Sequence, residues 1–429
     1  MGFPMTDTIF ALSSGSPPAA LAVLRVSGPQ AREALAALAG SIPQPRRASY
    51  RLLRNSGRGV LDHAIVLWFP GPDTATGEDL AEFHLHGGRA VVSAVEAALA
   101  ELPKLRRATA GEFTRRAFTN GRIDLAEAEG LADLLAAETE LQRRSAIAMA
   151  DGAFSSQVQA WRDRVLVFSA AVEAVLDFGD EDDVSDLPGS FVDDLRLFHV
   201  ELSDWLARPR AERLKEGFRI VIAGPPNAGK STLFNALVED EAAITSPLAG
   251  TTRDVLTRAV SISGVPFVFA DTAGLRDDTG DEIEAIGISR AKAALEGADL
   301  ILWLGPEGEG PEGAWEIAAK SDRPDCRPKR SPRHVVSAIS GAGLDGLRHD
   351  MISTAMTLMP RPGEAALSNR QHALIADAAS ALATAARETD PLLRAEGLRL
   401  ARVAFDALIG RTTTEDMLNA LFGRFCIGK

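Results

Sequence analysis

Short apolar runs and amphipathic stretches alternate along the first 118 residues. Ala20–Val26, Ala64–Phe69 and Asp79–His86 read as strands, whereas the alanine-rich stretches Gln30–Ala39 and Ala90–Leu102 read as helices. This mixture predicts a small α+β domain. From Ile123 to about Leu206 the period lengthens. Trp161, Val165, Phe168, Val172, Val175 and Leu176 fall on one helical face and predict a core-facing stripe. From Glu216 to about Met359 strands and helices alternate, which predicts a parallel α/β sheet. Helical periodicity returns after Pro360 and Pro362, in "HALIADAASALATAARE" and "AEGLRLARVAFDALIG". The expected organisation is therefore an α+β domain (1–118), a helical domain (119–215 and 360–429), and an α/β domain (216–359) inserted between its two halves.

Composition narrows the class. The chain has 429 residues, 46% hydrophobic and 24% charged, and no apolar run approaches the roughly 18–20 residues a membrane helix needs. Two cysteines, Cys326 and Cys426, neither staple a fold of this size nor build a zinc site, so a reducing cytoplasm is expected. Cys426 sits where a prenylated cysteine would, but Gly428 is not aliphatic and Lys429 is not a usual final residue. A net charge of −13 disfavours non-specific nucleic-acid binding, so any RNA contact must be local or shared with a more basic partner.

The strongest chemical signal is "RIVIAGPPNAGKSTLFNAL". Gly224–Ser231 matches G-x-x-x-x-G-K-[ST], with a strand-like run before it and a helix after it, the context this motif requires. Backbone N–H groups of such a loop, through Gly224, Asn227, Ala228 and Gly229, cradle phosphate oxygens. Lys230 reaches the β- and γ-phosphates, and Ser231 offers a hydroxyl to Mg²⁺, with Thr232 beside it. Three further motifs follow in order. "SPLAGTT" (Ser246, Pro247, Leu248, Ala249, Gly250, Thr251, Thr252) offers a hydroxyl to complete the Mg²⁺ shell. "DTAG" (Asp271, Thr272, Ala273, Gly274) ends an apolar strand and faces the metal and γ-phosphate. "AKSD" carries Lys320 and Asp322, and "VVSAIS" carries Ser337 and Ala338 beside the base; the Asp322 carboxylate selects guanine by accepting two hydrogen bonds. Together these resemble a GTPase of the Ras-like superfamily.

Two departures stand out. Ala319 occupies the place of the usual Asn of the guanine motif, and the link between the strands at "ADLILWLG" and "WEIAAKSD" is short for a parallel crossover. The residue after Asp-Thr-Ala-Gly is Leu275, which cannot orient water, so other groups must act in hydrolysis. Glu282 and Glu284 are nearby acids, and Asn227 stands where an amide oxygen could bind a monovalent cation beside the phosphates.

Over nearly its whole length the chain resembles the tRNA-modification GTPases of the MnmE/TrmE family. The resemblance rests on "DTIFALSS", "LAVLRVSG", "TGEDLAEFHLHGG", "GEFTRRAFTNGRIDLAEAEGLADL", "GPPNAGKSTLFNAL", "AITSPLAGTTRDV", "DTAGLRDDTGDEIEAIG" and the terminal "FCIGK". It implies an N-terminal α+β folate-binding domain, a helical domain, and an inserted Ras-like P-loop GTPase domain. It implies a homodimer joined through N-terminal domains, and joint action with a FAD-containing partner of the MnmG/GidA family. Such proteins add an aminomethyl or carboxymethylaminomethyl group to C5 of the wobble uridine of tRNA, using a one-carbon unit from 5-formyl- or methylene-tetrahydrofolate. The resemblance places K⁺ at Asn227, Ser246, Leu248 and Thr251, Mg²⁺ at Ser231 and Thr252, and the catalytic glutamate, through "EAIG", at Glu284. It places folate contacts at Arg25, Glu82, Arg122 and Lys429, and brings Cys426 to the one-carbon site, as a reacting or a positioning thiol. The alternatives are a regulatory or ribosome-assembly GTPase switch, and a folate-dependent enzyme acting on something other than tRNA.

Overall fold

The computed structural model describes residues 7–178, 187–238, 242–243, 257–271, 294–323, 329–412 and 414–428. The chain forms two compact units, Met1–Ala132 with Asp406–Lys429, and Asp133–Phe405.

The first unit is built on a six-stranded sheet of β1 (Thr8–Leu12), β2 (Leu21–Ser27), β3 (Ser49–Arg54), β4 (Val60–Phe69), β5 (Leu80–His86) and β6 (Leu105–Arg107), in the order β3-β4-β5-β2-β1-β6. Only β6 runs parallel to its neighbour, β1. Three of these strands and the helices Ala31–Ala39 and Arg89–Ala100 lie where the sequence pattern puts them. Alternation then sorts the side chains. Ala22, Leu24, Val26, Ala81, Phe83 and Leu85 go into one core, while Val23, Arg25, Glu82 and His84 take the opposite face. On that opposite face Phe113, from the helix Glu112–Thr119, packs with Ile9, Ala11 and Ala108. The helix Glu415–Phe422 joins this unit from the far end of the chain, where Leu418 and Phe422 pack with Leu125 and Ala128.

The second unit holds a seven-stranded sheet of β7 (Phe218–Ala223), β8 (Ala242–Ala243), β9 (Thr257–Ile262), β10 (Val265–Asp271), β11 (Leu300–Trp303), β12 (Trp315–Ala318) and β13 (His334–Val335), ordered β13-β12-β11-β7-β10-β9-β8. The expected parallel sheet is in fact mixed. β9 is antiparallel to β10, and β8 to β9. The cause is the two-residue turn Ser263–Gly264, both at positive φ (50° and 81°), which closes a hairpin and leaves no room for a crossover. In the helices Trp161, Val165 and Val172 are buried as the stripe predicts, but Leu176 is 38% exposed, so the face emerges in the last turn of Ala153–Phe178. Trp161 and Trp205 meet edge-to-face at 5.3 Å, and the Trp161 indole donates to Glu201 at 2.7 Å.

Candidate functional site

β7 carries five buried residues in six, and its C-terminal end delivers the chain to the loop 224–229. Such a central strand fixes the loop's base, and the helix Lys230–Val238 begins directly after it. Asn227 has φ 60°. Lys230 is buried, and its Nζ donates to the carbonyls of Gly224 (3.0 Å) and Pro225 (2.9 Å). Ser231 and Thr232 are exposed in the first helical turn, where a hydroxyl at the positive helix end suits an anion or its counter-ion.

The base motif comes to the same place from β12 and β13. Ala318 and Val335 pair across these strands, so Lys320 and Asp322 emerge beside Ser337 and Ala338. The buried Ser337 hydroxyl donates to Asp322 Oδ1 at 2.6 Å. This bond, followed by a main-chain N–H, holds the Asp322 carboxyl below the usual range, so an ionised acceptor faces the pocket. Lys320 Nζ donates to the carbonyl of Asn227. An open pocket of about 400 Å³ is lined by Gly229 and Thr232 on the phosphate side and by Lys320, Asp322, Arg323 and Ala338 on the base side. Ala319 lines it too, and its methyl packs on the hydrophobic core with Ala228. Ser246–Thr252, Thr272–Gly274, Glu284, Cys326 and Lys429 lie outside the described residues, and Asp271 is described only as the backbone end of β10.

The short link is a parallel crossover without a helix. β11 and β12 pair in parallel, and residues 304–314 form only turns. The loop lies against the indole of Trp303, whose Nε1 donates to the Pro306 carbonyl at 2.8 Å. A Cβ at Gly305 would sit 2.4 Å from that ring, and one at Gly310 2.7 Å. Two glycines and a tryptophan thus replace the usual crossover helix.

In the first unit Arg25 and Glu82 are cross-strand partners on β2 and β5. Arg25 Nη2 donates to Glu82 at 2.8 Å, and His84 Nε2 lies 3.2 Å from its other oxygen. Burial alone would raise the Glu82 pKa, but the bonds from His84 and Arg25 outweigh it and hold the carboxyl below its ordinary value. Arg122 donates to Asp73 at 2.8 Å.

The tail "FCIGK" also belongs to this unit. Ile427 bridges to Ala110, and the Ser13 hydroxyl donates to the Gly428 carbonyl at 2.8 Å. A Cβ on Gly428, at φ 96°, would lie 2.0 Å from the Leu12 carbonyl oxygen, so only glycine lets the tail close on β1. Cys426, two residues before it, is a free and exposed thiol.

One group escaped sequence reasoning. Glu112 and Arg116 of "GEFTRR" form an ion cluster with Asp7, Glu78 and Arg106. It ties together the start of β1, the segment before β5, β6 and the helix Glu112–Thr119. Acid and base at i, i+4 was the only local sign of it, since the other members come from distant segments.

Residues 8–122 match the family described as GTP-binding protein TrmE N-terminus, and residues 125–426 match the MnmE helical domain. Relatives that carry the name tRNA modification GTPase MnmE match over nearly the whole chain. That of Novosphingobium aromaticivorans is 62% identical over 99% of this chain and 100% of its own. That of Erythrobacter litoralis is 60% identical over 99% and 100%, and that of Rhizorhabdus wittichii 57% identical over 100% and 98%.

Proposed function

The chain belongs to the MnmE family of tRNA modification GTPases, and from that premise we propose that it couples GTP hydrolysis to the modification of wobble uridine at C5. The observation that carries this reading is a pocket that Gly229 and Thr232 line from one side and Lys320, Asp322 and Ala338 from the other. Backbone suited to cradling phosphate and a carboxylate suited to guanine line it together, and Lys230 stands next to Gly229 in the chain.

In this reading Lys230 leaves its loop carbonyls for the β- and γ-phosphates, and Asp322 accepts from the guanine N–H groups. The exposed Ser231 hydroxyl fits Mg²⁺, with Thr252 as the second hydroxyl ligand. Asn227 with Ser246, Leu248 and Thr251 would hold K⁺, an all-oxygen set suited to a hard cation. Cations held at these residues would supply positive charge to offset that developing on the phosphates. Leu275 orients no water, so Glu284 takes that role through a bridging water.

Arg25, Glu82, Arg122 and Lys429 are the proposed folate contacts. Glu82, kept ionised beside Arg25 and His84, accepts from pterin N–H groups, and Arg122 suits the carboxylates of the glutamate tail. The Cys426 thiol acts at the one-carbon unit or positions it. The proposed partners are a second copy through the N-terminal domains, a FAD-containing MnmG/GidA-type protein, and tRNA. No described helix is long and apolar enough to cross a membrane, and the proposed location is the cytoplasm.

The test is GTP hydrolysis by the purified protein in matched KCl and NaCl, with Glu284→Ala alongside. K⁺ stimulation that the substitution abolishes supports the cation and glutamate assignments. Equal, slow rates in both salts remove them and leave a switch that needs an external activator. Restoration of modified wobble uridine in a deletion strain separates tRNA modification from both alternatives.

A further inference from the structure

We infer that the β3 edge of the N-terminal sheet is an RNA-docking surface whose ligand is a phosphate backbone with an unstacked base; on the functional reading above, that RNA is tRNA.

The chain carries a net charge of −13, yet Pro45–Arg58 holds Arg46, Arg47, Arg51, Arg54 and Arg58 and no acid. This segment is the sheet's outer strand, β3, with its flanking turns. Position on an edge gathers the cluster along one rim, where strand alternation puts Tyr50 and Arg54 on one face and Arg51 on the other.

These charges are largely unneutralised. Arg46 reaches the Asp73 carboxylate at 3.5 Å. Three others donate to neutral acceptors: Arg47 to the Gln44 side chain (2.9 Å), Arg51 to the Tyr50 carbonyl (2.9 Å), and Arg54 to the Arg58 carbonyl (2.8 Å). Among the described residues no carboxylate forms an ion pair with Arg47, Arg51, Arg54 or Arg58. A guanidinium held by neutral oxygens is oriented and still fully charged, ready for phosphate.

The turn geometry strengthens the case. Asn55 Oδ1 accepts from the Gly59 N–H at 2.7 Å and fixes the β3–β4 turn. Arg58 sits in that turn at φ 62°, a conformation that favours Gly or Asn. A cation is kept where the backbone prefers another residue. Tyr50, the chain's only tyrosine, lies among these arginines and is 66% exposed, with the His63 ring 5.8 Å away. An exposed aromatic flanked by arginines is a stacking platform for a splayed base.

A guard against edge-to-edge strand pairing would need the charges but not the exposed tyrosine. A second copy is disfavoured, because a two-fold contact through this stretch sets like charges opposite one another.

The experiment measures binding of the full-length protein to an in vitro transcribed tRNA by fluorescence anisotropy, across about 50 to 200 mM KCl. The variants are Arg58→Asn, Arg47→Gln/Arg54→Gln/Arg58→Asn, and Tyr50→Ala. Asn suits the left-handed turn, so Arg58→Asn keeps the fold and its thermal melt verifies this. We expect the salt dependence (log K against log salt) to flatten by about one unit in the single variant and by up to about three in the triple. GTP hydrolysis, which uses none of these residues, stays unchanged. Tyr50→Ala weakens binding roughly ten-fold or more with the salt dependence intact. Wild-type affinity and salt dependence in the triple variant overturn the surface, as does failure of the wild-type protein to bind tRNA. Loss of the dimer with tRNA affinity intact assigns the edge to a second copy and also overturns it. K⁺-dependent hydrolysis and restored wobble modification report on the functional reading separately.

Discussion

The ε-ammonium of Lys320 donates to the main-chain carbonyl of Asn227, so the base loop is tied to the phosphate loop by a side chain next to the one that normally does it. Ala319, in the usual Asn place, contributes a methyl to the core. Removal of the tie by Lys320→Ala removes a charge-assisted hydrogen bond, about 1.5–3 kcal/mol. The expected outcome is GTP binding weaker by roughly ten- to a hundred-fold, read by titration calorimetry. Ala319→Asn supplies a second tie and is expected to tighten binding.

Asp322 presents an ionised acceptor to the pocket, and the Ser337 hydroxyl holds it so. Asp322→Asn replaces one acceptor oxygen with an amide donor, which suits a base whose C2 carries oxygen rather than an amine. Competition titrations are expected to show GTP affinity falling and XTP affinity rising. Ser337→Ala removes the bond that lowers the carboxyl, so the loss of GTP affinity on acidification moves to higher pH.

Glu112 is buried at the centre of the ion cluster. Burial alone would raise its pKa, but the Arg106 bond, the Thr109 N–H and the charges of Arg106 and Arg116 hold it below 4.5. A depressed carboxyl contributes stability that is complete above about pH 4.5 and is lost as pH falls through the folded value. Glu112→Gln is expected to cost about 3–5 kcal/mol at pH 7, as for removal of one partner of a buried pair. The gap to wild type narrows as pH falls through the folded value of Glu112, and denaturant melts across pH measure both effects.

Gly428→Ala places a methyl where the Leu12 carbonyl oxygen stands. The tail is expected to detach from β1 and trypsin to cut faster after Arg424, read by timed digestion and mass spectrometry. Wobble modification is expected to fall with it, whereas GTP hydrolysis by the other unit persists.

Local patterns carried most of the fold. The β7–loop–helix unit was legible because its glycine spacing and apolar strand are contiguous. The antiparallel edge was missed because Ser263–Gly264, a two-residue turn signal, lay inside a region otherwise reading as strand–helix alternation. The Gly-, Pro- and Glu-rich link already speaks against a crossover helix, but the indole of Trp303 that supports the loop acts through space. Arg25 and Glu82 met through sheet register, which no local spacing encodes, so only family resemblance marked them. The Glu112 cluster draws on distant segments, and its charges read as ordinary surface polarity.

The two ends of the chain, Met1–Ala132 and Asp406–Lys429, share one compact unit. A ribosome emitting about 5–20 residues per second therefore makes the sheet β1–β6 long before the segment that completes it. For roughly 15–55 seconds, while residues 133–405 emerge, Leu125 and Ala128 wait without Leu418 and Phe422 to cover them. Until then the nascent N-terminal unit carries uncovered apolar surface, and a message truncated before residue 406 leaves it unfinished.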